Sequence, residues 1–289
     1  MSYNFAIGAL YIGFPTLFVP LYLRVIYIFV SKRKYRAVEC YQLMIQIGFI
    51  QCTMGIAFFL QGIPAFFGFD PIGIGSFAVN LLSSCFRIET GLSFLLALDR
   101  LIIICDVKVP KYLIKALTVV AWLYGVVQFV IFHTPMASIY YSLSKFVAVY
   151  DYSLPLSLII QRTGVYYTWA VSALTLLVYI SIVSYLIREQ RRISSVSTNF
   201  KQKWILIQAA IRFIADASLA VLFHIGPQLL PPSIWITIGI ISGYTFDHLL
   251  LPPLLYIVLN GNLRREIVLG KESQSSTAVV QPLSSSHRK

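Results

Sequence analysis

The sequence predicts an all-α membrane protein: a seven-transmembrane helix bundle with its N-terminus outside and a short amphipathic helix after the last span. Seven apolar stretches are each long enough, at about 20 residues or more, to cross a bilayer as a helix. A helix is expected because a chain in lipid has to satisfy its own backbone hydrogen bonds. Of the 289 residues, 58% are hydrophobic and only 12% are charged, so we expect no separate soluble domain.

We call the seven apolar stretches spans 1 to 7. They lie at about residues 5–30, 41–63, 77–105, 113–132, 165–187, 204–230 and 234–259. Together they predict one seven-transmembrane domain over residues 1–270. Residues 271–289 are Ser-rich and poor in apolar side chains, which predicts a disordered cytoplasmic tail.

The connections indicate where each span ends. Span 1 ends in a basic cluster at 32–36, and span 2 ends at 64–76, where Gly and Pro favour a turn. A short inner loop closed by Pro110 follows span 3. Residues 133–164, between spans 4 and 5, form the longest connection, which is polar and rich in tyrosine. A basic, Ser-rich loop follows span 5, and a tight turn at 231–233 separates spans 6 and 7.

The distribution of Lys and Arg predicts the orientation of the bundle. With the N-terminus outside, 18 of the 23 basic residues lie on the inner side, three lie within spans, and only Lys145 and Arg162 lie outside. A cytosolic excess of basic residues is typical of multi-span proteins. The net charge of +12 therefore comes mainly from basic residues that flank the spans at the inner surface of the lipid bilayer. We therefore expect no nucleic-acid partner.

A short amphipathic helix is predicted directly after span 7. Leu263 and Ile267 fall on one side of this helix, and Arg264, Arg265 and Glu266 fall on the other. This pattern suits a helix that lies along the inner membrane surface.

Charged and polar residues within the spans are costly in lipid, so we expect each of them either to hold the helices together or to serve the function. Two of them, Arg87 and Glu89 in span 3, lie two positions apart and point to nearly opposite faces of the helix. We hypothesise that Arg87 pairs with Asp216 or Asp247. The charged and polar residues within the spans form a candidate network, which either holds the bundle together or changes its pairing between two states. Its candidate members are Arg87, Glu89, Arg212, Asp216, Asp247 and His248.

The site that contacts a ligand is not defined by the sequence. His224 in span 6 and Tyr244 in span 7 are candidates, together with the tyrosines of the 133–164 connection. No Cys/His spacing resembles a metal site, so we expect neither a metal nor a cofactor.

The inner ends of spans 3 and 7 carry two candidate switch motifs. Asp99-Arg100 places an Arg at the bilayer edge, where it can bond to neighbouring helices at rest and then to a partner from the cytosol. The alternative is an Arg that only anchors the helix end. In span 7, Pro252 and Pro253 interrupt the helical ladder and create a hinge above Tyr256. Here the alternative is a static kink with an interfacial Tyr.

These motifs resemble those of G-protein-coupled receptors, and the chain is most similar to the nematode serpentine chemoreceptors of class T (srt). The resemblance is carried by Cys40-Tyr41-Gln42-Leu43-Met44, Leu96-Ala97-Leu98-Asp99-Arg100 and Pro252-Pro253-x-x-Tyr256-x-x-x-Asn260-x-x-Leu263-Arg264.

The resemblance implies a chemosensory receptor. Such a receptor binds a small odorant or pheromone-like molecule from the outer side and signals to a heterotrimeric G protein. It would lie in the plasma membrane of sensory neurons, with sensory cilia as a candidate location. Asp99, Arg100, Pro253 and Tyr256 would be the activation and coupling residues.

Several residues depart from the usual receptor pattern. The connection between spans 4 and 5 has no Cys, so the usual outer disulfide cannot form, and Leu101 follows Arg100 where Tyr is usual. The inner end of span 6 carries Lys201 and Lys203 but no acid that would hold Arg100.

Two other functions compete with that of a receptor. A transporter or ligand-gated channel with a charged pathway through the membrane is the main alternative, although the chain lacks an internal repeat. We expect no enzyme, because the spans contain no paired catalytic motif.

Overall fold

The structure is a computed structural model. It describes residues 2–144, 146–192, 211, 213–215, 217–219, 221–222, 233–259 and 261–269. Six helices in this part of the chain are long and apolar enough to span a membrane, and they correspond to spans 1 to 5 and 7. The described residues of span 6 are helical as well. Arg212, Asp216, His224 and the predicted tail 271–289 lie outside the described residues.

The observed helices of spans 1 to 5 are mostly longer than the sequence predicts. They cover Ser2–Ser31, Glu39–Phe67, Ile74–Ile104, Lys111–Ile131 and Ser157–Arg192. A short helix, Arg33–Arg36, forms the first inner loop. Span 2 continues through Pro64 and ends where Gly68 adopts φ 75°, a left-handed conformation that suits Gly.

Asp70 fixes the start of span 3 in the outer connection. Its Oδ1 accepts a hydrogen bond from the Gly75 backbone N–H at 2.8 Å, and its Oδ2 accepts one from the Ser76 N–H at 3.2 Å. These bonds satisfy N–H groups that have no partner within the helix. The preceding 3₁₀ turn, Pro71–Gly73, reverses the chain with Gly73 at φ 73°.

The long connection between spans 4 and 5 folds into a β-hairpin that the sequence analysis did not predict. Strand β1, Ile139–Ser142, pairs antiparallel with strand β2, Val147–Tyr150. The inward side chains of β1 are buried in the same core as spans 1 to 4 and 7. The Tyr11 hydroxyl of span 1 donates to the Phe146 carbonyl at 3.1 Å, which ties the tip of the hairpin to the bundle.

Span 7 is not one regular helix. It consists of an α-helix Ile234–Thr245, a π-helical turn Phe246–Leu250 and an α-helix Leu251–Leu259. Pro252 and Pro253 lack the N–H groups that an α-helix directs to the carbonyls four residues earlier. A widened turn accommodates this loss and adds one residue to the helix. Asp247, His248 and Leu249 are consecutive, and all three are buried.

The helix after span 7, Gly261–Leu269, differs from the prediction in one side chain. Leu263 is buried, as expected for the membrane-facing side, but Glu266 is buried too, at 3% exposure. Glu266 accepts a hydrogen bond from the Lys34 ammonium in the first inner loop. An oppositely charged partner lowers the cost of burying this carboxylate, so it does not face the cytosol with Arg264 and Arg265.

Candidate functional site

A cavity of about 520 Å³ opens inside the outer half of the bundle. Spans 2, 3, 5 and 7, described residues of span 6 and the hairpin all contribute to its wall. Much of the wall is apolar, for example Phe58, Val79, Val165 and Ile240, and β2 of the hairpin lies across it. A cavity of this volume is large enough for a small organic ligand.

Arg87 brings a positive charge to the cavity wall. Its guanidinium Nη1 donates to the Thr168 hydroxyl of span 5 at 2.5 Å, and its Nε is buried without a hydrogen-bond partner in the described part of the chain. The guanidinium fits between spans 3 and 5 because Gly164 has no side chain. A Cβ at that position would lie 2.4 Å from Nη2 of Arg87.

Glu89 and His248 meet at the same cavity, as part of a longer polar chain through the bundle. The Nδ1 atom of His248 lies 3.0 Å from Oε2 of Glu89, whose side chain is almost fully buried. The other carboxylate oxygen of Glu89 accepts from the Gln51 amide of span 2. The Gln51 carbonyl in turn accepts from the Tyr22 hydroxyl of span 1. The chain therefore connects spans 7, 3, 2 and 1.

Asp247 lies beside His248 in the π-helical turn and also lines the cavity. Its side chain is only 2% exposed, and neither carboxylate oxygen has a hydrogen-bond partner among the described residues. The hypothesis that Arg87 pairs with Asp247 is therefore wrong for this conformation, since Arg87 donates to Thr168 instead. The alternative partner Asp216 lies outside the described residues.

Of the residues proposed to contact a ligand, His224 lies outside the described residues, whereas Tyr244 and, from the connection between spans 4 and 5, Tyr150 and Tyr152 lie on the cavity wall. Tyr244 belongs to span 7. Its ring stacks on the imidazole of His248 with 5.9 Å between centroids, and the Phe86 ring meets both rings edge-on. An aromatic wall therefore adjoins the charged groups of span 7.

Asp99 and Arg100 lie at the inner end of span 3, on the cytosolic side of the cavity residues of the same helix. Asp99 is buried, and its Oδ2 has no hydrogen-bond partner within the described ranges. The Arg100 guanidinium donates to the Cys40 sulfur at the start of span 2. Arg100 thus contacts span 2 in this conformation.

Pro253 and Tyr256 lie in the inner part of span 7, and both are buried. The Tyr256 ring packs against the rings of Tyr22 and Phe29 from span 1, with centroids 6.5 Å and 5.8 Å away. Phe29 also contacts Tyr35 of the first inner loop at 5.3 Å. Burial raises the pKa of Tyr35 well above its usual range, and the Glu266 carboxylate adds to the shift, so this phenol stays neutral.

Several residues that complete these arrangements were not singled out by the sequence analysis. Gln51 and Tyr22 extend the Glu89–His248 pair, and their signal was a polar group within an otherwise apolar span. Thr168 and Gly164 accommodate Arg87, but only the packing of span 5 against span 3 identifies them.

Comparison with known proteins places this chain in a family. Residues 2–276 match the family model described as "Serpentine type 7TM GPCR chemoreceptor Srt". Among solved structures, the fold is similar to that in the "Crystal structure of squid rhodopsin", with a TM-score of 0.74. That match has 11% sequence identity and covers 93% of this chain and 86% of the squid chain. No curated protein matches the sequence.

These likenesses confirm the seven-helix bundle predicted from the sequence. They also agree with a receptor, and not an enzyme, embedded in a membrane by multiple spans. The chain belongs to the Srt family of serpentine chemoreceptors and has the fold of a G-protein-coupled receptor.

Proposed function

We propose that this receptor binds a small odorant or pheromone-like molecule from the outer side and signals to a heterotrimeric G protein. The observation that carries the proposal is the cavity of about 520 Å³ beneath the hairpin, with charged groups of spans 3 and 7 in its wall. The mechanism is a conformational switch without covalent chemistry. A ligand shifts the equilibrium by its higher affinity for one of the two states.

Coupling to the G protein is assigned to the inner ends of spans 3 and 7. In this proposal, Arg100 leaves Cys40 on activation and contacts the G protein, while Asp99 stays buried beside it. Pro253 and Tyr256 supply the movement in span 7, because the prolines already weaken the helical ladder there. The receptor acts in the plasma membrane of sensory neurons, including their cilia.

A ligand screen in reporter cells tests the binding site. Cells that express the receptor are exposed to odorants and to secreted small molecules, and G-protein activation is recorded. Val165→Trp fills the cavity and is expected to abolish the response. The matched control is Tyr166→Trp, because the neighbouring Tyr166 is 70% exposed on the outer surface of the helix. A response that persists in Val165→Trp places the ligand elsewhere.

A second pair of variants tests the coupling role. Arg100→Ala is expected to reach the cell surface but to lose most of its G-protein signal. Arg33→Ala removes an exposed Arg from the first inner loop and serves as the control. Normal signalling by Arg100→Ala at equal surface density removes Arg100 from the coupling machinery. A ligand-evoked current in cells without G proteins supports the channel alternative instead.

A further inference from the structure

The carboxylate of Asp247 is the least compensated charged group in the described part of the cavity wall. It is 2% exposed, and both of its oxygens lie without a hydrogen-bond partner among the described residues. A buried carboxylate in this condition is costly unless a cation or a hydrogen-bond donor reaches it. Asp247 is also one of the residues that line the cavity.

The neighbouring charges are engaged with other groups. His248 lies 3.0 Å from Glu89 and forms an ion pair with it when protonated. Arg87 donates to Thr168. The π-helical turn places Asp247 beside the cavity, because the added residue lets Asp247 and His248 both face the interior.

Arg87 offers a second incomplete contact in the same cavity. Its guanidinium bonds to Thr168 through Nη1, while its buried Nε–H has no acceptor within the described ranges. An acceptor group of a ligand, such as a carbonyl or carboxylate oxygen, would satisfy this donor. The cavity therefore presents one group that needs a donor and one that needs an acceptor.

We propose that the ligand is an amino compound whose protonated amine binds Asp247 and whose carbonyl or carboxylate group binds Arg87. This inference rests on the proposed function, because it names the class of molecule for the same cavity. The apolar side chains of the same cavity wall, among them Val79, Val165 and Ile240, accommodate the hydrocarbon part of the molecule.

Other ligand classes fit the charges less well. An anion without an amine leaves Asp247 unpaired and is repelled by it. A neutral hydrocarbon leaves both polar contacts unmade, and a site built for polar contacts discriminates strongly against a molecule that lacks them. Only a molecule with both a cationic donor and an acceptor completes the cavity.

The test uses the full-length receptor, purified in lipid nanodiscs, and a defined set of probes. The probes are phenylalanine and ω-amino acids of increasing chain length, each beside its N-acetyl derivative, which lacks the cation. We expect an amine to raise the Tm of the receptor while its N-acetyl derivative does not. This comparison needs no variant, so it holds even if a substitution impairs folding.

Asp247→Asn, which keeps the shape of the side chain, is then expected to weaken binding of the same amine by about 30-fold or more. Equal binding of an amine and its N-acetyl derivative overturns the inference, as does an unchanged affinity in Asp247→Asn or a panel in which no amine raises the Tm.

The outcome for the proposed function is read separately. If a neutral ligand or an anion signals, loses its effect in Val165→Trp and binds Asp247→Asn normally, the amine inference fails and the receptor function stands. If ligands signal equally in Val165→Trp and in the unsubstituted receptor, the cavity itself is not the ligand site, and the first proposal fails as well.

Discussion

The outer half of the bundle contains a cavity, whereas the inner end is filled by packed side chains. In the outer half, the helices leave a cavity, and Asp247 and Arg87 carry atoms without hydrogen-bond partners among the described residues. At the inner end, Tyr256 is packed among the rings of span 1, and Lys34 pairs with Glu266. Under the proposed function, the bundle is open to a ligand on the outer side and closed to the G protein on the inner side in this conformation.

A chain of hydrogen bonds, completed by one contact between aromatic rings, connects the two ends. It begins at the cavity with His248 and Glu89 and continues through Gln51 to Tyr22. Tyr22 then packs against Tyr256, with 6.5 Å between ring centroids. A ligand that repositions span 7 at the cavity therefore has a contiguous route to the packed rings of Tyr22, Phe29 and Tyr256.

Replacing the centre of this chain is expected to give the largest effect. Glu89→Ala leaves His248 and Gln51 facing a cavity in the core, and breaking a buried pair typically costs about 3–5 kcal/mol. We expect a large fall in Tm and in surface expression. The control, Glu39→Ala, removes an exposed acid at the start of span 2. Equal Tm values for the two variants contradict a structural role for the chain.

The next variant interrupts the hydrogen-bond chain between the two ends and leaves the residues of the cavity wall unchanged. Gln51→Leu removes the link between Glu89 and Tyr22 and is expected to cost about 1–3 kcal/mol, because buried polar partners lose a hydrogen bond. We expect ligand affinity to change little while the maximal G-protein signal falls.

The matched control is Gln46→Leu. Gln46 accepts a hydrogen bond from Trp122 of span 4 at 2.8 Å and lies outside the chain. If Gln46→Leu lowers the signal as much as Gln51→Leu, the effect belongs to span 2 in general and not to the chain.

A smaller effect is expected at the inner end. Glu266→Gln removes the ion pair with Lys34, whose side chain is 38% exposed, so we expect a loss of about 1 kcal/mol or less. Because the first inner loop is then held less firmly, basal signalling without ligand should rise. Arg264→Gln changes an exposed charge on the same helix and is the control. Unchanged basal signalling argues against a closing role for this pair.

The smallest effect on stability is expected at Gly164. The three atoms nearest to the added Cβ of Gly164→Ala all belong to the end of the flexible Arg87 side chain, so the cost should be a few tenths of a kcal/mol. The shifted guanidinium should nevertheless alter the affinity for ligands with an acceptor group, measured by titration. Gly13→Ala, where a Cβ meets nothing within 4 Å, is the control. Identical affinities would show that the position of Arg87 does not matter for binding.

The number of spans and their orientation can be predicted from the sequence, because both depend on the preference of individual residues for lipid or water. A long apolar run or a basic loop has its preferred location whatever its neighbours are. The hairpin was missed because its strands have only four residues each and depend on contacts such as that between Tyr11 and Phe146. The partner of Arg87 likewise depends on which face of span 5 packs against span 3.

Glu266 shows the same limit on a smaller scale. Its position among basic residues predicts a cytosolic side chain, yet Lys34 from a loop 232 positions away provides the charge that permits burial. The two prolines of span 7 did predict an irregular helix, but not that the consecutive residues Asp247 and His248 would both face the interior.

The π-helical turn of span 7 also affects how this receptor is compared with its relatives. An α-helix rotates by about 100° per residue, so one added residue turns everything below Leu250 relative to everything above it. If span 7 is aligned with that of a receptor without this turn by counting residues from one end, the residues beyond the turn are therefore assigned to the wrong face of the helix. Equivalent positions in a receptor without this turn have to be matched separately above and below it, with a one-residue gap between the two halves.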